Sequence, residues 1–139
     1  MGQGKSRLNP VKPRVCLAFA LLALAIPVTA AADGDAAQGK KRYDLLCRVC
    51  HGPTGGGDGP ASLAIDPPPR NFNRAEFKFD ADKDGHAGSD EDLTIVIKKG
   101  GASFGGNPVM VPWSSLSDAE VANVIAYIRT LETTRATSR

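Results

Sequence analysis

The chain has 139 residues, with seventeen Lys and Arg against fifteen Asp and Glu. Four of the basic residues precede position 15 and no acidic residue precedes position 33, so residues 33–139 carry thirteen basic against fifteen acidic groups, a charge of −2. No basic cluster remains there, which excludes a nucleic-acid function, and those 107 residues suffice for one domain with one core.

Lys5, Arg7, Lys12 and Arg14 form a positive start, an apolar run follows from Val15 to Val28, and Thr29, Ala30, Ala31 and Ala32 are small. That order is the secretory signal pattern. The run falls short of the roughly 18 residues that argue for a membrane span. Residues 1–32 are therefore expected to be cleaved near position 30–32, leaving a periplasmic domain, 33–139, with no membrane span. An uncleaved N-terminal anchor is the alternative. Cys16 leaves with the signal, so the mature chain keeps only Cys47 and Cys50.

Residues 33–47 read as a helix, with Asp33 or Asp35 as its cap and Gly39 as either a late start or a point of close approach. Tyr43 and Leu46 share one face. From Gly52 to Asn73, Gly and Pro rule out long regular elements, and a stretch of about twenty such residues in a compact domain usually wraps something. "DADKDGHAGSDE", from Asp80 to Glu91, fits the calcium-loop pattern D-x-D-x-D-G-x5-E. Asp80, Asp82, Asp84 and Glu91 are its candidate ligands, and Ca2+ is the hard cation that oxygen set suits. Ala87 at the eighth position and the short Phe77-Lys78-Phe79 lead-in favour a solvated turn instead. His86 reads as a surface residue.

Ser89 and Asp92 fit a capping box for a helix to Lys99, which Gly100 stops. Residues 100–116 form a second Gly/Pro-rich loop containing Met110, Pro112 and Trp113. Ser117 and Glu120 make another capping box. The helix it opens has Val121, Val124, Ile125, Ile128 and Leu131 at helical spacing. Thr133 to Arg139 is a polar tail. No repeat is present and no segment reads as a strand.

The chemistry concentrates in "CRVCH", Cys47 to His51. A thioredoxin-like pair wants a strand before it and a βαβ pattern around it. A structural zinc site needs about four ligands, and no second Cys/His cluster exists. A plain disulfide leaves the histidine unexplained. Covalent c-type haem attachment accounts for all three residues. Cysteines three apart lie on one side of a helical turn and can reach two neighbouring vinyl groups, and the next residue offers its imidazole to the iron.

The sequence here resembles the class I c-type cytochromes, over nearly the whole of residues 33–139. "LCRVCHGPTGGGDGP" is similar to the family's attachment site. "GGNPVMVPWSSLSDAEVANVIAYIRTL" is similar to its methionine loop and C-terminal helix. Gly39 and Tyr43, with Val124 and Tyr127, resemble the crossed helices of that fold. The resemblance implies an all-α fold, a small helix bundle wrapping one covalently bound haem c. It makes Met110, the only methionine after residue 32, the second iron ligand beside His51. Val111 is an extra residue within the family's Met-Pro-Trp pattern. Trp113 is the expected haem-propionate contact, with core filling as its alternative. A loop proline carbonyl is expected to orient the His51 ring, and Pro60, Pro67, Pro68 and Pro69 compete for that role.

Two protein ligands leave no open iron position, so the expected function is single-electron transfer between a donor and an acceptor redox protein, met transiently. The protein is then not an enzyme. A second expectation is a haem protein that binds a small ligand or catalyses through a labile Met110. A third is a cytochrome subunit of a dehydrogenase or oxidase complex, and a thiol-disulfide protein is the residual option.

Overall fold

The computed structural model describes residues 1, 2 and 34–133. The chain divides into units 1–30 and 31–139, and residues 34–133 belong to the second. The apolar run expected to be a signal (with Cys16), the candidate cap Asp33 and residues 134–139 lie outside the described residues. Within them are four α-helices, α1 (Ala36–Leu46), α2 (Arg48–His51), α3 (Asp90–Lys99) and α4 (Asp118–Thr133), three short 3-10 turns and no strand. No described helix is long and apolar enough to cross a membrane.

α1 starts later than the expected position 33, because Asp35 is its cap and accepts from the Ala37 and Gln38 amides at 2.8 and 3.1 Å. Its own N–H donates to Asn123 Oδ1 at 2.7 Å, which ties the start of α1 to α4. The two helices cross at Gly39, where an added Cβ would collide with the Asn123 carbonyl. Close approach, at a cost of about 1 kcal/mol in helix propensity, is therefore the reason for a glycine there. Tyr43 is fully buried one turn on, edge-on to Tyr127 at 5.1 Å and to Phe72 at 6.3 Å.

α4 buries the predicted stripe of Val121, Val124, Ile125, Ile128 and Leu131. Burying each such side chain is worth about 1.5–3 kcal/mol. The Ser117–Glu120 box forms, with the Ser117 N–H donating to Glu120 Oε2 at 2.9 Å and the Glu120 N–H to Ser117 Oγ at 3.3 Å. Leu93 and Ile97 of α3 join the same core. Gly100 ends α3 with φ +79°.

The α3 box forms too, and Asp92 does more than close it. Its carboxylate is 1 % exposed and accepts from the Ala81, Asp82, Gly88 and Ser89 amides. The acidic loop is thus pinned to α3 by one buried side chain. Arg129 of α4 braces the same loop. It donates to Asp90 Oδ1 and to the Gly88 carbonyl at 2.7 Å and lies over the Phe77 ring at 5.3 Å.

Candidate functional site

α1 stops at Leu46, and the chain re-enters helix for the single turn of α2. The loop after α2 folds back onto it. Gly57 N–H donates to the His51 carbonyl, Gly59 to Cys50 and Ala61 to Val49, at 2.8, 3.1 and 3.0 Å. This return is only open to glycine at position 59, where a Cβ would meet the Arg48 and Val49 carbonyl oxygens. Tyr43 Oη donates to the Gly52 carbonyl at 2.7 Å and fixes the far end of the turn.

Cys47, Cys50 and His51 thereby line one wall of a cleft of about 170 Å³. His51 is buried, and its Nδ1 stands 3.0 Å from the Arg70 carbonyl. A carbonyl only accepts, so Nδ1 carries the proton and Nε2 is left to bind a metal. The Phe72 ring stacks on the imidazole at 4.5 Å, with 14° between planes. Burial pulls the His51 pKa below its ordinary value, which keeps the ring neutral, as ligation requires. Burial also pushes the Cys47 thiol up to about 11, with Cys50 adding to it. Among the described residues both cysteines are free.

None of the four candidate prolines orients the imidazole. The Pro69 carbonyl faces Gly57, and it is the next one, of Arg70, that turns toward His51.

Met110 reaches the same cleft from the loop before α4, and Trp113 lines it as well. Gly101 makes room for Met110, since a Cβ there would lie 3.2 Å from Met110 Cβ and 3.6 Å from Sδ. Gly101 N–H donates to the Met110 carbonyl at 2.9 Å, and Trp113 N–H to the Ile97 carbonyl at 3.0 Å. The extra Val111 is taken up in a tight turn, its N–H donating to the Val109 carbonyl at 3.0 Å. Trp113 is half-buried and packs against the core cluster, so core contact and cleft lining coexist in one side chain. A smaller cavity of about 70 Å³ is lined by His51, Phe72, Asp92 and Met110.

The acidic loop stands apart from these residues. Oxygens of Asp80, Asp82 and Asp84 lie within 4.8 Å of one another, but Glu91 is not with them. Asp80 and Asp82 each accept the Asp84 amide, at 3.0 and 3.1 Å, and Asp84 accepts the His86 amide at 2.7 Å. The residue that turns inward at the start of α3 is Asp92, one position beyond the expected ligand. His86 is exposed.

The donor set fits a covalently held haem: two thiols on one wall, an imidazole with a single free nitrogen, a thioether on another loop, and an otherwise largely apolar lining. Arg70, Phe72 and Asn107 also line the cleft and were not foreseen. Only Arg70 had a signal, its place directly after three prolines.

The family model for cytochrome c matches residues 36–132. Among solved structures, a chain of the reducing HAO-like protein complex of Kuenenia stuttgartiensis is similar, at 30% identity and a TM-score of 0.62. The match covers 77% of this chain and 47% of that one, so this chain spans less than half the length of its neighbour. No curated protein matches.

Proposed function

The chain belongs to the cytochrome c family, and on that premise we propose that it is a periplasmic mono-haem electron carrier and not an enzyme. The observation that carries this reading is the convergence of Cys47, Cys50, His51 and Met110 on one cleft. A single C-x-x-C-H and a single methionine after residue 32 provide for one haem with His/Met ligation. Cys47 and Cys50 would hold the ring as thioethers, and His51 Nε2 and Met110 Sδ would hold the iron. When bound, the haem supplies an iron that alternates between ferric and ferrous states.

The protein's own part is to hold these donors and keep water out. The Arg70 carbonyl and Phe72 ring fix the imidazole, so little reorganises when the charge changes. A neutral sulfur and an apolar lining favour the reduced state and raise the potential. Trp113, which lines the cleft and packs on the core, would meet a propionate. Donor and acceptor would be redox proteins met transiently. Ca2+ at Asp80, Asp82 and Asp84, whose oxygens lie within 4.8 Å of one another, is a separate proposal that electron transfer does not require.

One observation favours a second reading. The similar solved chain belongs to a protein complex, so this domain is alternatively a cytochrome subunit of an oxidoreductase. A stable partner would then co-purify with it.

The test is the visible spectrum of the exported protein, oxidised and reduced, with and without carbon monoxide. A sharp low-spin c-type spectrum that the gas leaves unchanged is expected. A carbon monoxide shift would displace the carrier in favour of a ligand-binding or catalytic haem protein.

A further inference from the structure

The cleft is walled in part by two segments far apart in the chain. One is the loop of residues 65–70 and the other is the loop bearing Met110. Neither is supported by a sheet or a long helix of its own. The side chain of Asn107 joins them. Its Nδ2 donates to the Asp66 carbonyl at 2.7 Å, across 41 positions of sequence. Its Oδ1 accepts from the Val109 N–H at 2.9 Å, and its own carbonyl accepts from the Met110 N–H at 3.1 Å. A primary amide both donates and accepts, and here both ends are used. The remaining ties of the Met110 loop run within it or back to α3. Among the described residues, no other hydrogen bond crosses from it to the 65–70 loop.

We propose that Asn107 is the latch that closes the Met110 loop across the cleft, a positioning residue that sets how readily the sulfur leaves. The proposal rests on Met110 being the second iron ligand. The 107–110 turn moves as one piece, because Asn107 bonds both Val109 and Met110. Withdrawing Met110 therefore requires the amide to release Asp66. An outside ligand then competes only for the fraction of molecules with an open loop, and its apparent affinity is reduced by that fraction. The latch keeps the site saturated and thus separates a carrier from a ligand-binding protein.

Asn107→Asp isolates the cross-cleft bond. It keeps an acceptor for Val109 and loses the donor to Asp66. Asp66→Asn is the control, since Asp66 contributes its backbone carbonyl. Asn107→Ser is uncharged and should shift in the same direction, which removes charge as an explanation. Imidazole is titrated into the oxidised holoprotein. Asn107→Asp should bind it about tenfold more tightly, equivalent to about 1.4 kcal/mol in the opening equilibrium. Asp66→Asn should match the wild type, and the methionine–iron absorption should persist in all of them without imidazole. Amide exchange at Gly101, Val109 and Met110 should quicken about tenfold in Asn107→Asp by the same arithmetic. Gly57 and Phe72 should keep their rates. Wild-type imidazole affinity and wild-type exchange in Asn107→Asp would overturn the latch. A wild-type protein without methionine–iron absorption would instead overturn the ligand assignment. Exchange then decides alone: quickening upholds a latch on the loop, and unchanged rates reject it.

Discussion

The two sides of the cleft are built differently. The Cys47–His51 side is a helical turn wrapped by its own downstream loop, with backbone hydrogen bonds from Gly57, Gly59 and Ala61 and a buried tyrosine hydroxyl on Gly52. Its histidine is held by a carbonyl and a stacked ring. The Met110 side is a surface loop whose Val109 and Val111 are 55% and 47% exposed and whose tie across the cleft is one amide. The lesson is that the fold holds one candidate ligand firmly and leaves the other adjustable. Rigidity follows from buried backbone pairing, which cannot be given up without stranding polar groups. A loop with solvent beside it can exchange its bonds for water.

Perturbing the first side should therefore cost stability, and perturbing the second should change chemistry instead. The largest effect is expected from Phe72→Ala, which empties the space against both His51 and Tyr43. It should lose about 3–5 kcal/mol in denaturant unfolding. A loss below about 1 kcal/mol would mean that the stacked ring does not support the histidine side.

Asp92→Ala comes next, at about 2–3 kcal/mol, because it strands buried amides of the acidic loop. Burial alone would raise the Asp92 pKa, but the Ala81, Ser89 and Asp82 amides hold it below its ordinary value of 3.8. A depressed carboxylate contributes stability above the unfolded-state pKa and loses it as the pH falls through the folded-state value. Stability should therefore decline as the pH drops below about 4, and the decline should be shallower in Asp92→Ala. Equal slopes for the two proteins in thermal melts across that range would refute this. Asp92 lines the smaller cavity with both His51 and Met110, so acid should loosen both sides together.

Met110→Leu sharpens the comparison. Its stability cost should stay under about 1.5 kcal/mol, as for other volume-conserving swaps. The methionine–iron absorption should vanish and the reduced protein should bind carbon monoxide, while covalent haem persists in a denaturing gel. The smallest effect is expected from chelation. The Asp80, Asp82 and Asp84 carboxylates already serve the loop's own amides, so EDTA should move the melting temperature by less than about 1 °C. A drop of several degrees, on the order of 1 kcal/mol in a domain this size, would restore calcium to the loop.

Much of the site was legible because side-chain identity and spacing encode it. Cys47, Cys50 and His51 need their residue types three and one apart, and Met110 had no competitor after residue 32. The capping boxes at Ser89 and Ser117 were legible for the same local reason. What escaped notice depends on backbone direction or on distant contacts. Any residue has a carbonyl, so the run of prolines marks the neighbourhood of Arg70 but not which carbonyl there turns to His51. Asn107 finds its partner 41 positions away, beyond any local pattern. The acidic stretch was legible in part: oxygens of Asp80, Asp82 and Asp84 lie within 4.8 Å of one another, as the alternate spacing implies, while at the start of α3 the capping box turns Asp92 inward.

The Val109–Val111 turn has a consequence for chain length. Val111 is an addition to the pattern it sits in, yet Met110 reaches the cleft and Trp113 bonds Ile97 with the residue present. The surplus is absorbed by one tight turn facing solvent, so neither end of the connection has to move. The segment between sulfur and final helix is thus a spacer of adjustable length. Insertions or deletions at this point cost little in closure entropy, so a change of length there need not disturb the donors on either side.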